Sequence, residues 1–552
     1  ELICEELQTA ADDRPSRWES KNKKFGRITS VAALALKGRV ELLFASPLCN
    51  RADDVTRWET AFQTNLASVK KLEEGNFGLA YENNSGKNAA GWGKIFSDYI
   101  GSEGGGGTVS EAVLVTLYNN VSPAEHLQLE KWNGWEHSLR PANAGGGGGM
   151  TPTAEMVDLF PMADGKKPND MNGSYDYNQE LFFLNRDPRF YRTFAFPGVE
   201  WKFDSDDLKS FGEKGQLPYG INGYTTGNNY KLWNYCWYDN VDDRNSNSKS
   251  GYAADCLGTK NTGIYLRKRT DDLALNSNPL YIFEKTSGNG FRQSAAPYME
   301  IRFAEVLLNY AEAACGANHF DEAVNALKRI RKRVGYTDNC GLDPAIFNDR
   351  AKLFEAILYE RQIELAYEGK RFHDVRRWML FDGGVGQEAL KSTWKLTGFN
   401  GNTCNYLGVE PLNGQRRHRI EVYAKNFIAA KSNNVYNEDK TIKETYDELW
   451  NKRPTALSLT EDITCTESAD DEITYADAKV KALAQFYQEH FKRKNLSTDG
   501  NDETILPTFK PYYYILGFKK NAMQNNVSLE QNIGWGDYWR GGADGTFDPL
   551  AE

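Results

Sequence analysis

The acidic groups of one predicted helix are the residues whose spacing first suggests chemistry. Glu360, Glu364 and His373 could supply carboxylate and imidazole ligands to a metal ion. Carboxylate-bridged metals in helical bundles use a Glu-x-x-His pair from each of two helices, and this sequence has no such pair. We therefore predict an ion-pair network in which Glu360, Glu364 and Glu368 pair along the helix or with nearby arginines. The candidate arginines are Arg361, Arg371, Arg376 and Arg377.

No catalytic constellation is recognisable. The six histidines are scattered, and neither a His-Glu-x-x-His motif nor a Gly-x-Ser-x-Gly elbow occurs. Paired carboxylates for glycoside hydrolysis stay open, because spacing along the chain does not fix spacing in space. With 76 acidic residues some pair always fits, so this observation has little weight. We predict a protein that is not an enzyme and that uses no cofactor and no metal ion.

A run of five glycines at 145–149 suggests a phosphate-binding loop at first sight. No Gly-Lys-Ser/Thr follows it, and no strand is predicted before it. The sequence after Met150 instead resembles a helix start, with Thr151 or Thr153 as the N-cap. We interpret the glycines as a flexible approach to a capped helix.

Two aromatic clusters are better candidates for a binding site. They lie in a part of the chain otherwise rich in Gly, Asn and Asp, at 132–135 and 230–240. A sugar ring has an apolar C–H face and a polar edge, which suits a flat aromatic side chain flanked by polar groups. The alternative is that the second cluster forms a strand, in which successive side chains point to opposite faces, and that one face of this strand is buried in a core. The candidate ligand-binding residues are Trp132, Trp135, Trp233, Tyr235, Trp237 and Tyr238.

Helices must position these loops. In 301–315 apolar residues cover most of the helical circumference, as expected for a helix packed on two sides. A second helix is predicted at 320–335, and a third at 350–368 is capped by Asp349 and stopped by Gly369. Paired helices with short turns and small residues at the contact are typical of tetratricopeptide-like hairpins.

The helical strings resemble the C-terminal hallmark of the SusD/RagB family, the glycan- or peptide-binding outer-membrane lipoproteins of Bacteroidota. Four further stretches are similar, in order, from the first residues nearly to the last. The strings are IRFAEVLLNYAEA (301–313), ERQIELAYEGKRFHDVRRW (360–378), GRITSVAALALKGRVELLFASPLCN (26–50), GGGGGMTPTAEMVDLFPMADGK (145–166), NRDPRFY (185–191) and SLEQNIGW (528–535).

This resemblance implies a tetratricopeptide-based fold that closes as a lid over a SusC-type TonB-dependent transporter of the outer membrane. It also implies that the helical scaffold faces the transporter and the loop-rich side holds cargo. Family members begin with a signal peptide and a lipidated cysteine, whereas this chain opens at Glu1-Leu-Ile-Cys4 with no leader. We expect the anchor upstream of Glu1 and do not assign it to Cys4, which lies in a predicted helix.

Composition agrees with an exported, water-exposed protein. The mean hydropathy of −0.64 and the absence of an apolar run near 18 residues exclude a transmembrane helix. A net charge of −10 argues against nucleic acid as a partner, and the basic run 328–333 is interpreted as a solvated helix end. Eight cysteines are too few for a disulfide-built fold. Cys236 could pair with Cys256, while Cys49 and Cys315 are predicted to be free core thiols.

We predict four parts: N-terminal helices (1–80), a loop-rich and ligand-binding part (81–297), the hallmark helices (298–380), and a loop-rich C-terminal part (381–552) that carries the terminal motif. The predicted fold is mainly α, a tetratricopeptide-like helical-hairpin scaffold with long loop-rich insertions and only short β ribbons. The helical segments are 28–45, 300–315, 320–334 and 350–368, with further helical stretches at 58–71 and 475–492.

The function predicted from these features is capture of an oligosaccharide at the cell surface and its delivery to the transporter. A peptide ligand is the alternative within the same family. A glycan hydrolase and an intracellular tetratricopeptide adaptor are the alternatives from other classes. Release of products from a polysaccharide would identify the hydrolase, and a signal peptide with a lipidated cysteine in the full-length gene would exclude the adaptor.

Overall fold

The structure is a computed structural model. It describes residues 1–18, 24–86, 89–97, 108–119, 131–141, 147, 149–201, 230–236, 263–270, 281–284, 290–384, 399, 401–425, 434–436, 442–445, 452–459, 478–497, 506 and 508–550.

Helices and short strands alternate along the described chain. The helices are α1 (Leu2–Asp13), α2 (Ser30–Ala45), α3 (Val55–Glu74), α4 (Ala90–Ser97), α5 (Trp135–Leu139), α6 (Ala154–Leu159), α7 (Pro188–Thr193), α8 (Phe303–Gly316), α9 (Phe320–Arg333), α10 (Arg350–Glu364), α11 (Arg371–Arg377), α12 (Thr403–Leu407), α13 (Ala478–His490) and α14 (Lys520–Asn525). Two 3₁₀ turns are at Pro344–Ile346 and Pro511–Tyr514. The strands are β1 (Ala112–Thr116), β2 (Phe194–Ala195), β3 (Val199–Trp201), β4 (Tyr230–Leu232), β5 (Tyr265–Leu266), β6 (Tyr281–Glu284), β7 (Gly290–Ser294), β8 (Tyr298–Arg302), β9 (His418–Ala424), β10 (Asn434–Tyr436), β11 (Ile442–Thr445), β12 (Leu457–Ser458) and β13 (Phe491–Ser497).

The helical scaffold is built around α8. This helix packs against α2, α3, α9 and α10, because its apolar residues occupy nearly the whole circumference. Close approach to α3 depends on Gly316, where an added Cβ would lie 2.2 Å from the ring of the buried Trp58. The predicted fold class, a mainly α tetratricopeptide-like scaffold with short β ribbons, is confirmed.

Local capping signals were predicted correctly. The carboxylate of Asp349 accepts a hydrogen bond from the Lys352 amide, 3.1 Å, and starts α10. The hydroxyl of Thr153 accepts one from the Met156 amide, 3.3 Å, and starts α6. The prediction that α10 runs to 368 was wrong, because the helix ends at Glu364 and turns lead to Gly369 at φ +76°.

The start of α8 also differs from the prediction. Residues 298–302 form β8, which pairs antiparallel with β1, so the helix begins at Phe303 rather than at 300 or 301. A stretch as short as Tyr298–Arg302 suits a strand as well as the first turn of a helix, and periodicity alone does not separate them. In the described residues the sheets have two or three strands each, the largest being β12–β3–β4.

Two large cores fill the described molecule. The first contains side chains of α2, α3 and α8 to α12. The second collects residues from the loop-rich parts, from Leu139 to Leu266 and from Ile420 to Phe491. Tyr359, Ile363 and Ala366 of the hallmark region belong to this second core, so α10 and the turn after it connect the scaffold to the loops.

The cysteine predictions are met where the structure describes them. Cys315 is a buried free thiol, and Cys49 is a partly buried free thiol. Cys256 lies outside the described residues, so its pairing with Cys236 stays a prediction. Among the helices that the structure describes, none combines the length and the apolar character needed to cross a membrane.

Candidate functional site

The first predicted aromatic pair lies at a turn of the loop-rich part. Trp132 and Trp135 are both partly exposed. Asn133 holds the segment between them, because its amide donates to the Ser294 carbonyl and its side chain to the Ala296 carbonyl, both 2.8 Å. The backbone between the two tryptophans is therefore held near the end of β7.

A cation and a second aromatic ring complete this surface. The guanidinium carbon of Arg269 lies 3.8 Å from the ring centroid of Trp135 and 5.0 Å from that of Tyr298. Trp135 is fixed by its Nε1, which donates to the Lys268 carbonyl at 3.0 Å. Arg269 therefore covers part of the Trp135 ring, which also packs on the second core. The part of the ring that stays exposed lies next to guanidinium donors, an arrangement that suits a sugar. We call Trp132, Trp135, Arg269 and Tyr298 the aromatic platform.

The platform is anchored to the helical scaffold through Lys268. Its buried ammonium donates to the carbonyls of Glu364 and Ala366, 3.0 and 2.9 Å, and to the Glu368 carboxylate, 2.6 Å. Burial lowers the pKa of Lys268 to about 8 although Glu368 opposes the shift. Tyr298 adds a second link, because its hydroxyl donates to the Glu368 carbonyl at 2.8 Å. The turn after α10 therefore sets the position of the platform.

The acidic residues of α10 form the predicted ion-pair network. Glu364 accepts from Arg302 at 2.8 Å and from Arg189 at 2.9 Å, and Glu360 accepts from Arg331 at 2.7 Å. All five side chains are buried. Burial alone would raise the pKa of Glu364, but the surrounding arginines hold it well below its usual range. The carboxylates of Glu360 and Glu364 are therefore fully paired, and they hold α7, β8, α9 and α10 together.

The partners within this network were predicted wrongly. The glutamates pair with arginines of α7, β8 and α9, far away in the sequence. Among the predicted arginines, Arg361 and Arg377 bind Asp374 at 3.1 and 2.8 Å, and Arg376 donates to the Tyr514 carbonyl at 3.1 Å. Arg371 pairs with none of the glutamates of this helix.

The metal alternative has no geometric support in the described part of the chain. There, no group of three or more His, Cys, Asp or Glu side chains is arranged to hold an ion. Glu360 and Glu364 are buried and paired with arginines, whereas His373 is exposed. The three residues of the hypothesis thus do not share one site.

The second aromatic cluster is placed differently from the prediction. Trp233 and Tyr235 are 3% and 0% exposed and belong to the second core. Trp233 packs edge-on against Phe486, with 5.8 Å between ring centroids, and Tyr235 lies 4.6 Å from the Phe491 ring. Neither offers a face to a ligand, because the loop-rich parts bury a core of their own. Trp237 and Tyr238 lie outside the described residues.

Sequence reasoning missed Arg269 and Tyr298. Tyr298 comes from β8, more than 160 residues after Trp132, and Arg269 from a turn at φ +67°. Neither belongs to an aromatic cluster, so composition carried no signal for them. The glycine run is only partly described: of 145–149, the structure describes Gly147 and Gly149.

The sequence is similar to those of known proteins. The model of the SusD family matches residues 77–535. SusD-like protein P2 of Formosa agariphila is 34% identical over 131 residues, which are 22% of this chain and 25% of that protein. The match therefore spans about a quarter of that relative's length.

A solved structure shows the same fold. A SusD-like protein from Bacteroides fragilis superposes with a TM-score of 0.52 at 20% identity, over 97% of this chain and 70% of that one. At this identity the likeness concerns the fold alone. The family match over most of the sequence carries the assignment: this chain belongs to the SusD family.

Proposed function

We propose that this protein is a non-catalytic, cell-surface oligosaccharide-binding protein. It captures the glycan and delivers it, as a lid, to a SusC-type TonB-dependent transporter of the outer membrane. Membership of the SusD family supports this proposal, and the aromatic platform is the single observation that carries the binding role. The full-length protein would be held at the membrane by a lipid on an upstream cysteine.

The platform is the proposed sugar-binding surface. A ligand would stack on Trp132 and on the exposed part of Trp135, while Arg269 supplies hydrogen-bond donors at the ring edge. Each well-placed aromatic contact contributes about 0.5–1.5 kcal/mol beyond the area it buries. Two such contacts with several hydrogen bonds correspond to a Kd between roughly millimolar and micromolar, about −4 to −8 kcal/mol. Affinity of this size suits a protein that must release its cargo.

The lid role assigns the two sides of the molecule to different partners. The helical scaffold (1–80 and 298–380) would meet the transporter, and the loop-rich parts (81–297 and 381–552) would hold cargo. A lid must open, which favours a polar contact over an obligate apolar one. Recovery of a barrel-sized partner with the protein, in mild detergent from the native outer membrane, tests this assembly. Recovery of the protein alone would contradict it.

Substitution of the platform tests the binding role. Replacing Trp132 and Trp135 together by Ala should weaken binding of the cognate oligosaccharide about tenfold or more, because the stacking surface is removed. The ligand is found first on a panel of oligosaccharides, and affinity is then measured by calorimetry.

The matched control is Trp539→Ala, since Trp539 is 48% exposed and lies in the C-terminal part away from the platform residues in sequence. Its affinity should equal that of the wild type. Equal affinity of the double variant and the wild type would refute the platform as the site, and binding of peptides instead of glycans would favour the alternative ligand.

A further inference from the structure

A cavity lies where the hallmark helices α10 and α11 meet the loop-rich parts of the chain. It has a volume of about 620 Å³ and is enclosed by α6, α10, α11, α12 and residues 409–417. This volume is within the range of small-molecule sites, about 300–1,000 Å³. Residues of the aromatic platform do not line it, so it is a separate place for a ligand.

One cation of this cavity, Arg371, has no hydrogen bond or ion pair with any residue that the structure describes. The ion-pair network uses Glu360, Glu364 and Glu368 for arginines on other elements, and Asp374 is occupied by Arg361 and Arg377. Arg371 lines the cavity and, among all described contacts, makes neither a hydrogen bond nor an ion pair. A partly buried guanidinium without an acceptor is costly unless an anion completes it.

A second arginine makes the same region more basic. Arg417 also lines the cavity. Burial lowers the pKa of Arg371, and the like charge of Arg417 adds to this shift while Asp374 opposes it. The guanidinium stays charged at neutral pH because its ordinary pKa is so high. Two arginines therefore line one cavity.

The acidic residues around the cavity do not cancel this charge. Glu155 is engaged by His418, whose Nδ1 lies 2.6 Å from its carboxylate and whose amide donates to both oxygens at 3.1 Å. Glu355 pairs with Lys167 at the rim. Glu410 is exposed and accepts from Gln415 at 3.1 Å, so water screens its charge.

Apolar side chains line the same cavity as Arg371. Phe372 is 51% exposed and lines it, as do Met156 and Leu159 of α6. An apolar ring and a guanidinium that line one cavity suit a sugar with one apolar face and one carboxylate.

We propose that this cavity binds the carboxylate of an acidic sugar, a uronic acid unit of the glycan, with Arg371 as the bidentate donor and Phe372 as the stacking surface. The planar fork of arginine fits a carboxylate with two parallel hydrogen bonds. The inference rests on the proposed function, because it takes the ligand to be a saccharide, and it names the class of saccharide.

Calorimetry with acidic trisaccharides tests this inference. The probes are trimers of galacturonate, glucuronate and guluronate, each with its carboxyl-reduced neutral form. At least one acidic trimer should bind the wild type tenfold or more tighter than its reduced form. Arg371→Gln should remove this preference and leave the reduced form's affinity unchanged. Phe372→Ala should weaken both forms.

The control is Arg540→Gln, which removes an exposed arginine that does not line the cavity and should keep the preference. Arg371→Gln should unfold at the wild-type temperature, since it breaks no described bond. Should it fail to fold, raising NaCl from 50 to 500 mM still tests the wild type, because the acidic trimer should lose affinity and the reduced form should not.

The proposal is overturned if no acidic trimer binds, if acidic and reduced forms bind the wild type equally, or if Arg371→Gln keeps the preference. Neutral oligosaccharides that bind through Trp132 and Trp135 would in those cases leave the proposed function intact. If the wild type bound no neutral oligosaccharide at all, this result would instead count against the proposed function itself.

Discussion

The buried carboxylate of Glu364 offers the sharpest test of how the scaffold is held together. It is the last residue of α10 and is 0% exposed. Its oxygens accept from Trp92 Nε1 at 3.0 Å, from Arg302 at 2.8 Å and from Arg189 at 2.9 Å, and Arg333 is a further donor. Glu364→Gln keeps the shape, removes the charge and turns an amide NH₂ toward donors.

The expected cost follows from this environment. Breaking a buried ion pair on one side leaves uncompensated charge and costs about 3–5 kcal/mol. Domains are stable by only about 5–15 kcal/mol, so this loss should be a large part of the free energy of unfolding. Urea titrations followed by circular dichroism, with thermal scans beside them, measure it.

A matched control lies on the same helix. Glu355 pairs with Lys167 at the surface, where the side chains are 21% and 47% exposed. Glu355→Gln should change the free energy of unfolding by about 0–1 kcal/mol, because solvent screens an exposed pair. If Glu364→Gln lost no more stability than Glu355→Gln, the network would not hold the scaffold and the reasoning from burial and pairing would be wrong.

Two further predictions concern packing and pH. Gly316→Ala should destabilise the protein by about 1–3 kcal/mol, because the added Cβ would overlap the ring of Trp58. The control Gly134→Ala should be nearly neutral, since no atom lies within 4 Å of a Cβ at that position. Equal melting temperatures for the two variants would refute the close contact. Burial alone would raise the pKa of Glu368, but Arg302 above all lowers it from 4.5 to about 2. The ionised carboxylate of Glu368 therefore contributes about 3 kcal/mol to the free energy of unfolding. This contribution is present above pH 4.5 and is lost as the pH falls toward 2. Glu368→Gln should therefore flatten the acid side of the stability curve measured by urea titration between pH 5 and 2, and an unchanged slope would contradict this.

Several helices could be predicted from local signals. The cap residues Asp349 and Thr153 and the helical apolar spacing gave the helices to within a few residues. The exception is 298–302, where strand pairing with β1 competes with helix continuation. That competition depends on a partner almost 190 residues away, which local sequence does not contain.

The candidate site was predictable only in part. Trp132 and Trp135 remain accessible, whereas Trp233 and Tyr235 are buried, although all four lie in similar sequence. The difference arises from α13 and β13, whose Phe486 and Phe491 cover the second pair. Likewise, the nearest arginines in sequence are not those that reach Glu364. Pairings of this kind depend on tertiary contacts.

The most direct test of the central claim is the position of a bound oligosaccharide in a crystal structure of this protein. The account predicts a sugar ring stacked on Trp132 or on the exposed part of Trp135, with Arg269 within hydrogen-bond distance of a ring substituent. A saccharide bound with no contact to Trp132, Trp135 or Arg269 would contradict it.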